Sequence, residues 1–79
     1  NIAPNPAQRQ FTVFLETLFK QDYRLDIISA LGLVIDPGLY ITKLNSNKIN
    51  IISENFPPGL YFIRLFTGNK YYLGKVIIL

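Results

Sequence analysis

The chain has no histidine, cysteine, methionine or tryptophan. Each absence removes a class of chemistry. Without histidine there is no Ser-His-Asp or Cys-His nucleophile system and no common zinc ligand set. Without cysteine there is no disulfide and no reactive thiolate. Carboxylates are scarce: Glu16, Asp22, Asp26, Asp36 and Glu54 are all there are. On an extended strand Asp22 and Asp26 share a face but lie about 13 Å apart, at roughly 3.3 Å per residue. Paired-carboxylate glycosidases need roughly 5 to 9.5 Å. Each carboxylate sits beside a turn or on an outward strand position, which reads as solvated charge. Ser29, Ser46 and Ser53 have no base to activate them. The glycines at 32, 38, 59, 68 and 74 lack the spacing of a phosphate-cradling loop. The expectation is therefore a non-enzyme with no cofactor and no metal.

Long apolar runs are also missing. None approaches the roughly 18 residues of a membrane span. Eight Lys plus Arg against five acidic residues give +3, with the cations scattered at 9, 20, 24, 43, 48, 64, 70 and 75. Nucleic-acid binders usually gather theirs into a patch, so no nucleic-acid partner is expected. The competing idea is a base-stacking platform of Phe62, Phe66, Tyr71, Arg64 and Lys75. The chain opens on Asn1 rather than Met, and its first residues read as the end of a linker, which suggests a piece of a longer protein.

What is abundant is strand-forming residues: Ile, Leu, Tyr and Phe dominate. The clearest pattern lies in 57–79, where two apolar runs flank Gly68-Asn69. Glycine at the first central position suits a two-residue type II′ loop. That loop dictates a register: Thr67 faces Lys70, Phe66 faces Tyr71, and so on to Tyr61 with Val76 and Leu60 with Ile77. One face then holds Tyr61, Ile63, Leu65, Tyr72, Gly74, Val76 and Ile78 and carries no charge. The other holds Leu60, Phe62, Arg64, Phe66, Tyr71, Leu73, Lys75 and Ile77. Burying Arg64 and Lys75 unpaired would be costly, so the first face points inward. The second face is unusually apolar for solvent. Either the cation stems lie over its rings, or it is a contact surface for a partner. Its contact candidates are Phe62, Arg64, Phe66, Tyr71, Leu73 and Ile77.

Upstream, 1–10 reads as a linker end and extended lead-in, because Pro4 and Pro6 exclude a helix. The remaining 11–79 reads as one β-domain. Phe11, Val13 and Leu15 alternate inward from 11 to 16, although helical spacing competes there. Tyr23, Leu25 and Ile27 point inward along 23–29, with Arg24 and Asp26 outward. A short strand follows at 33–35, a type II turn at Asp36-Pro37-Gly38, and a strand at 39–44. A polar loop at 45–48 leads to a strand at 48–52 with Ile49 and Ile51 inward. Pro57-Pro58-Gly59 reads as a second type II-like turn. About seven short strands between frequent turns indicate an all-β antiparallel sandwich, with a barrel as the alternative.

Five stretches together resemble the type A C-terminal sorting domain of proteins exported by the type IX, or Por, secretion system. They are IAPNP at 2–6, FTV at 11–13, DIISALG at 26–32, PGLYFIRL at 58–65 and the closing GKVIIL with Lys75. Their order and spacing span nearly the whole chain. Ala3 stands where that family usually has an aromatic, and Arg9-Gln10 where it usually has a glycine. The resemblance implies an immunoglobulin-like sandwich of about seven strands acting as a secretion signal. It implies passage through the periplasm and an outer-membrane translocon, to the medium or the cell surface. A sortase-like peptidase would then cut in the preceding linker. Carried over, the signature positions are Pro4, Asn5, Pro6, Gly32, Gly59, Tyr61 and Lys75. The other reading is an accessory immunoglobulin-like module that binds a partner or spaces the domains of a secreted protein. An edge strand with exposed aromatics would also permit a homodimer.

Overall fold

The longest pairing among the described strands follows from a two-residue loop. In the computed structural model, which describes residues 1–15, 23–35, 41–45 and 47–79, Gly68 has φ +57° and no described non-glycine residue has positive φ. That is the sign pattern of a type II′ turn. Strands β7 (Gly59–Thr67) and β8 (Lys70–Ile78) leave it in the register the loop dictates, from Thr67 with Lys70 through Tyr61 with Val76 to Gly59 with Ile78. Tyr61, Ile63, Leu65, Val76 and Ile78 are buried, whereas Phe66, Tyr71, Leu73, Lys75 and Ile77 are exposed.

Six further strands complete the described fold: β1 (Ile2–Ala3), β2 (Gln10–Phe14), β3 (Tyr23–Ser29), β4 (Val34–Ile35), β5 (Ile41–Asn45) and β6 (Lys48–Ile52). They form two four-stranded antiparallel sheets, β1-β2-β6-β5 and β4-β3-β7-β8. Alternation explains the core between them. Phe11, Val13, Ile49 and Ile51 face it from one sheet, and Leu25, Ile27, Ile63, Leu65, Val76 and Ile78 from the other. Strand wins over helix at Phe11–Leu15 because the period-2 positions Phe11, Val13 and Leu15 are all buried.

Several expectations need correction. Asn1–Gln10 does more than lead in. Ile2 pairs with Val13 and Ala3 with Thr12, adding a short strand, and Ala7 is fully buried beside Ile78. The Ala3–Pro4 and Asn5–Pro6 peptide bonds are both cis. The polar loop expected at 45–48 is shorter, because Asn45 pairs with Lys48 across a register shift. Gly59 has φ +147°, not the roughly +80° of a type II turn. The closing bond lies upstream instead, from Phe56 N to Ser53 O at 3.0 Å. Gly32, at φ +89°, sits in the β3–β4 connection, where its N–H donates to Ser29 O at 2.9 Å. The turn expected at Asp36-Pro37-Gly38 lies outside the described residues.

Candidate recognition surface

The outer face of the β4-β3-β7-β8 sheet is built row by row from the register. Arg24, Phe66 and Tyr71 form one row, Asp26, Arg64 and Leu73 the next, and Val34, Ile28, Phe62 and Lys75 a third. Ile77 follows, opposite Leu60. The face is mostly apolar and stays open: Tyr71 is 53%, Leu73 60% and Ile77 47% exposed. All six contact candidates from the hairpin, namely Phe62, Arg64, Phe66, Tyr71, Leu73 and Ile77, lie on it. The hairpin alone missed Ile28 and Val34. Their signal was the alternation that sends Arg24 and Asp26 outward, carried two residues further along β3.

Asp26 corrects the expectation of a solvated carboxylate. It occupies an outward position, yet is only 8% exposed. The register sets Arg64 directly opposite. Arg64 Nη2 donates to Asp26 Oδ2 at 3.0 Å. Arg24 adds bonds from Nη2 at 3.3 Å and Nε at 3.4 Å. The Arg24 guanidinium also lies 5.6 Å from the Phe66 ring centre, and Phe66 lies 5.0 Å from Tyr71. A charge-assisted cluster flanked by a tilted ring pair therefore holds this face together without a covering layer. It also takes up Arg64, whose Nη2 is engaged by Asp26 rather than free to meet a phosphate.

The signature positions fall at one end of the sandwich, in two groups. Asn5 lies along the β8 edge. Its Nδ2 donates to Lys75 O at 3.1 Å, and its Oδ1 accepts from Ile77 N at 3.0 Å. Ala7 continues the pairing: its N–H donates to Ile77 O at 2.7 Å, and its carbonyl accepts from Leu79 N at 2.9 Å. The Pro4-Asn5-Pro6 segment thus acts as a strap on the last strand. Lys75 joins it through its backbone, while its side chain stays exposed. The second group is Gly59 and Tyr61, at the start of β7. The Tyr61 ring is buried 5.7 Å from that of Phe56, and its hydroxyl donates to Pro57 O at 2.5 Å. This is the arrangement of the tyrosine corner of immunoglobulin-like sandwiches. Burial pushes the Tyr61 hydroxyl above its ordinary pKa near 10. Beside Gly59 and Tyr61, Leu31, Leu33, Pro57 and Pro58 line an apolar notch of about 300 Å³. Gly32 lies in the loop that carries those leucines.

Among the described residues no three potential metal-ligating side chains come together, and no helix is long and apolar enough to cross a membrane. An apolar sheet face, a strapped last strand and a tyrosine corner define a compact β-sandwich module whose distinguishing features are surfaces. The family model for the secretion system C-terminal sorting domain, the Por secretion tail, matches residues 1–79. The chain belongs to that family: it is a sorting domain of the type IX secretion system, a signal for export across the outer membrane to the cell surface or medium. A search of curated proteins finds no match.

Proposed function

We propose that the outer face of the β4-β3-β7-β8 sheet is where the export machinery reads this domain. The single observation behind this reading is the exposure of Phe66, Tyr71, Leu73 and Ile77 on one face. Contiguous exposed apolar groups of this kind mark interaction sites, because covering them removes apolar surface from water. The domain works as a folded, non-catalytic address. Pro4, Asn5, Pro6, Gly32, Gly59, Tyr61 and Lys75 shape its end, mainly by holding β8 and the start of β7 in place. A sortase-like peptidase removes the sandwich by cutting in the linker before it. An accessory spacer would have no use for so apolar a face. A nucleic-acid platform would need Arg64 free, and Asp26 engages it.

The test fuses residues 1–79 to a periplasmic reporter in a host with this secretion route. The unmutated fusion reaches the medium or the cell surface. Leu73→Asp combined with Ile77→Asp, at positions 60% and 47% exposed and outside the ring pair, lowers export by about tenfold while the melting midpoint stays within a few degrees. Export of the double variant at the unmutated level would overturn the face as the recognition surface.

A further inference from the structure

The strap covers only part of the β8 edge. In an antiparallel pair, alternate residues turn their N–H and C=O groups away from the partner strand. On β8 these are the odd-numbered residues, since Lys75 O, Ile77 N, Ile77 O and Leu79 N all bond to the strap. The same alternation turns the N–H and C=O of Tyr71 and Leu73 outward. Among the described residues nothing outside the β7–β8 ladder bonds to either. An unpaired strand edge is a template for another strand.

A second feature adjoins this open stretch. A groove of about 310 Å³ runs between the two sheets, walled by Ile2, Val13, Leu15, Ile63, Tyr72 and Gly74. Core side chains thus line the space beside the unpaired backbone. Gly74 lets the Ile2 side chain pack directly against β8 at the end of the groove: a Cβ there would meet Ile2 Cδ1 at 2.7 Å. Unpaired backbone, an apolar groove on one side and an apolar sheet face on the other are what an added strand requires, since its side chains alternate between two faces. Lys70 and Lys75 bracket the open stretch and are exposed. Lys48 stands over Phe14, which also lines the groove, at 5.7 Å from its ring centre. Asp26 is already engaged by two arginines.

We infer that the β8 edge between Lys70 and Lys75 receives an extended strand of a partner protein, with alternating apolar side chains and carboxylates at its ends. The strand continues the row that Asn5 and Ala7 begin. This deepens the sorting reading and, for its role in export, rests on it.

The probe is a synthetic peptide of alternating valine and threonine with an aspartate at each end. Added to the chain, it slows exchange of the Tyr71 and Leu73 amide hydrogens by about tenfold, and leaves those of Tyr72 and Gly74, already in the ladder, unchanged. Leu73→Pro removes one outward N–H without touching the ladder, as proline is tolerated on edge strands. That variant folds, loses the peptide and is exported about tenfold less than Leu73→Ala, which gives up the same side chain but keeps the N–H and still binds the peptide. Failure of the peptide to protect Tyr71 and Leu73 would overturn the inference. So would normal export of Leu73→Pro, or a dimer of the chain joined through this edge, which would make the occupant a second copy. If even the unmutated fusion stays inside the cell, the sorting reading falls, and amide exchange alone decides the edge.

Discussion

Tyr61 joins two environments at the start of β7, with its ring in the core and its hydroxyl on the Pro57 carbonyl. Tyr61→Phe keeps the ring and removes the bond, which costs about 1 kcal/mol at neutral pH. The pH dependence has a definite sign. Burial raises the folded-state pKa above the unfolded value near 10. The folded chain therefore holds this proton more tightly. The contribution is fully present below the unfolded pKa and is lost as pH rises through the folded one. Denaturant titrations in alkaline buffer show a shallower loss of stability for Tyr61→Phe than for the unmutated chain. At Asp26 the partners decide the outcome. Asp26→Ala strips Arg64 Nη2 of its acceptor while Arg64 Nε is already buried without a partner. The Arg64 side chain is 36% exposed, so the loss is about 2 kcal/mol rather than the 3 to 5 of a fully buried pair. Replacing both together, Asp26→Leu with Arg64→Met, recovers most of it, because neither charge is then stranded. Urea melts of the two variants check this.

Hairpin, strap and open edge belong to the scale of elements, and they were not equally readable. The β7–β8 register was legible because a two-residue loop leaves a single alignment, and both strands separately keep charge off one face. The inward sets Phe11-Val13, Leu25-Ile27 and Ile49-Ile51 were legible from alternation alone. The strap was not. Asn5 pairs through its side chain and Ala7 through one parallel bridge, so neither leaves a periodic trace. Burial of Asp26 was hidden for another reason: its partner Arg64 stands 38 positions away and is set opposite only by the β3–β7 register. On the candidate surface, the hairpin residues could be found from sequence, but Ile28 and Val34 needed the neighbouring strands. The turn gives the sharpest test of the hairpin. Gly68→Val forces a β-branched residue into positive φ and costs about 1 to 2 kcal/mol. Gly68→Asn with Asn69→Gly restores a favourable loop, of type I′, and most of the loss. Thermal melts of the two variants should separate by about 4 to 8 °C per kcal/mol.

For the whole molecule, the last strand is both a surface and half of a core wall, so truncation and surface substitution ask different questions. Deleting 75–79 removes Val76 and Ile78, which are almost completely buried, together with the backbone groups that hold Asn5 and Ala7. Losing most of one buried large aliphatic side chain costs about 2 to 5 kcal/mol. A chain of this length is expected to have only roughly 4 to 12 kcal/mol in total. The truncated chain therefore lacks a cooperative thermal transition and is cut quickly by added protease. Lys75→Ala, at an exposed position, changes stability by no more than about 0.5 kcal/mol. Circular dichroism melts of both chains decide the matter, and a cooperative transition in the truncated chain within a few degrees of the intact one would refute the core role of β8. Loss of export on truncation then reports an unfolded sandwich, whereas loss on Leu73→Asp with Ile77→Asp reports a missing contact. Only the second bears on what the machinery touches.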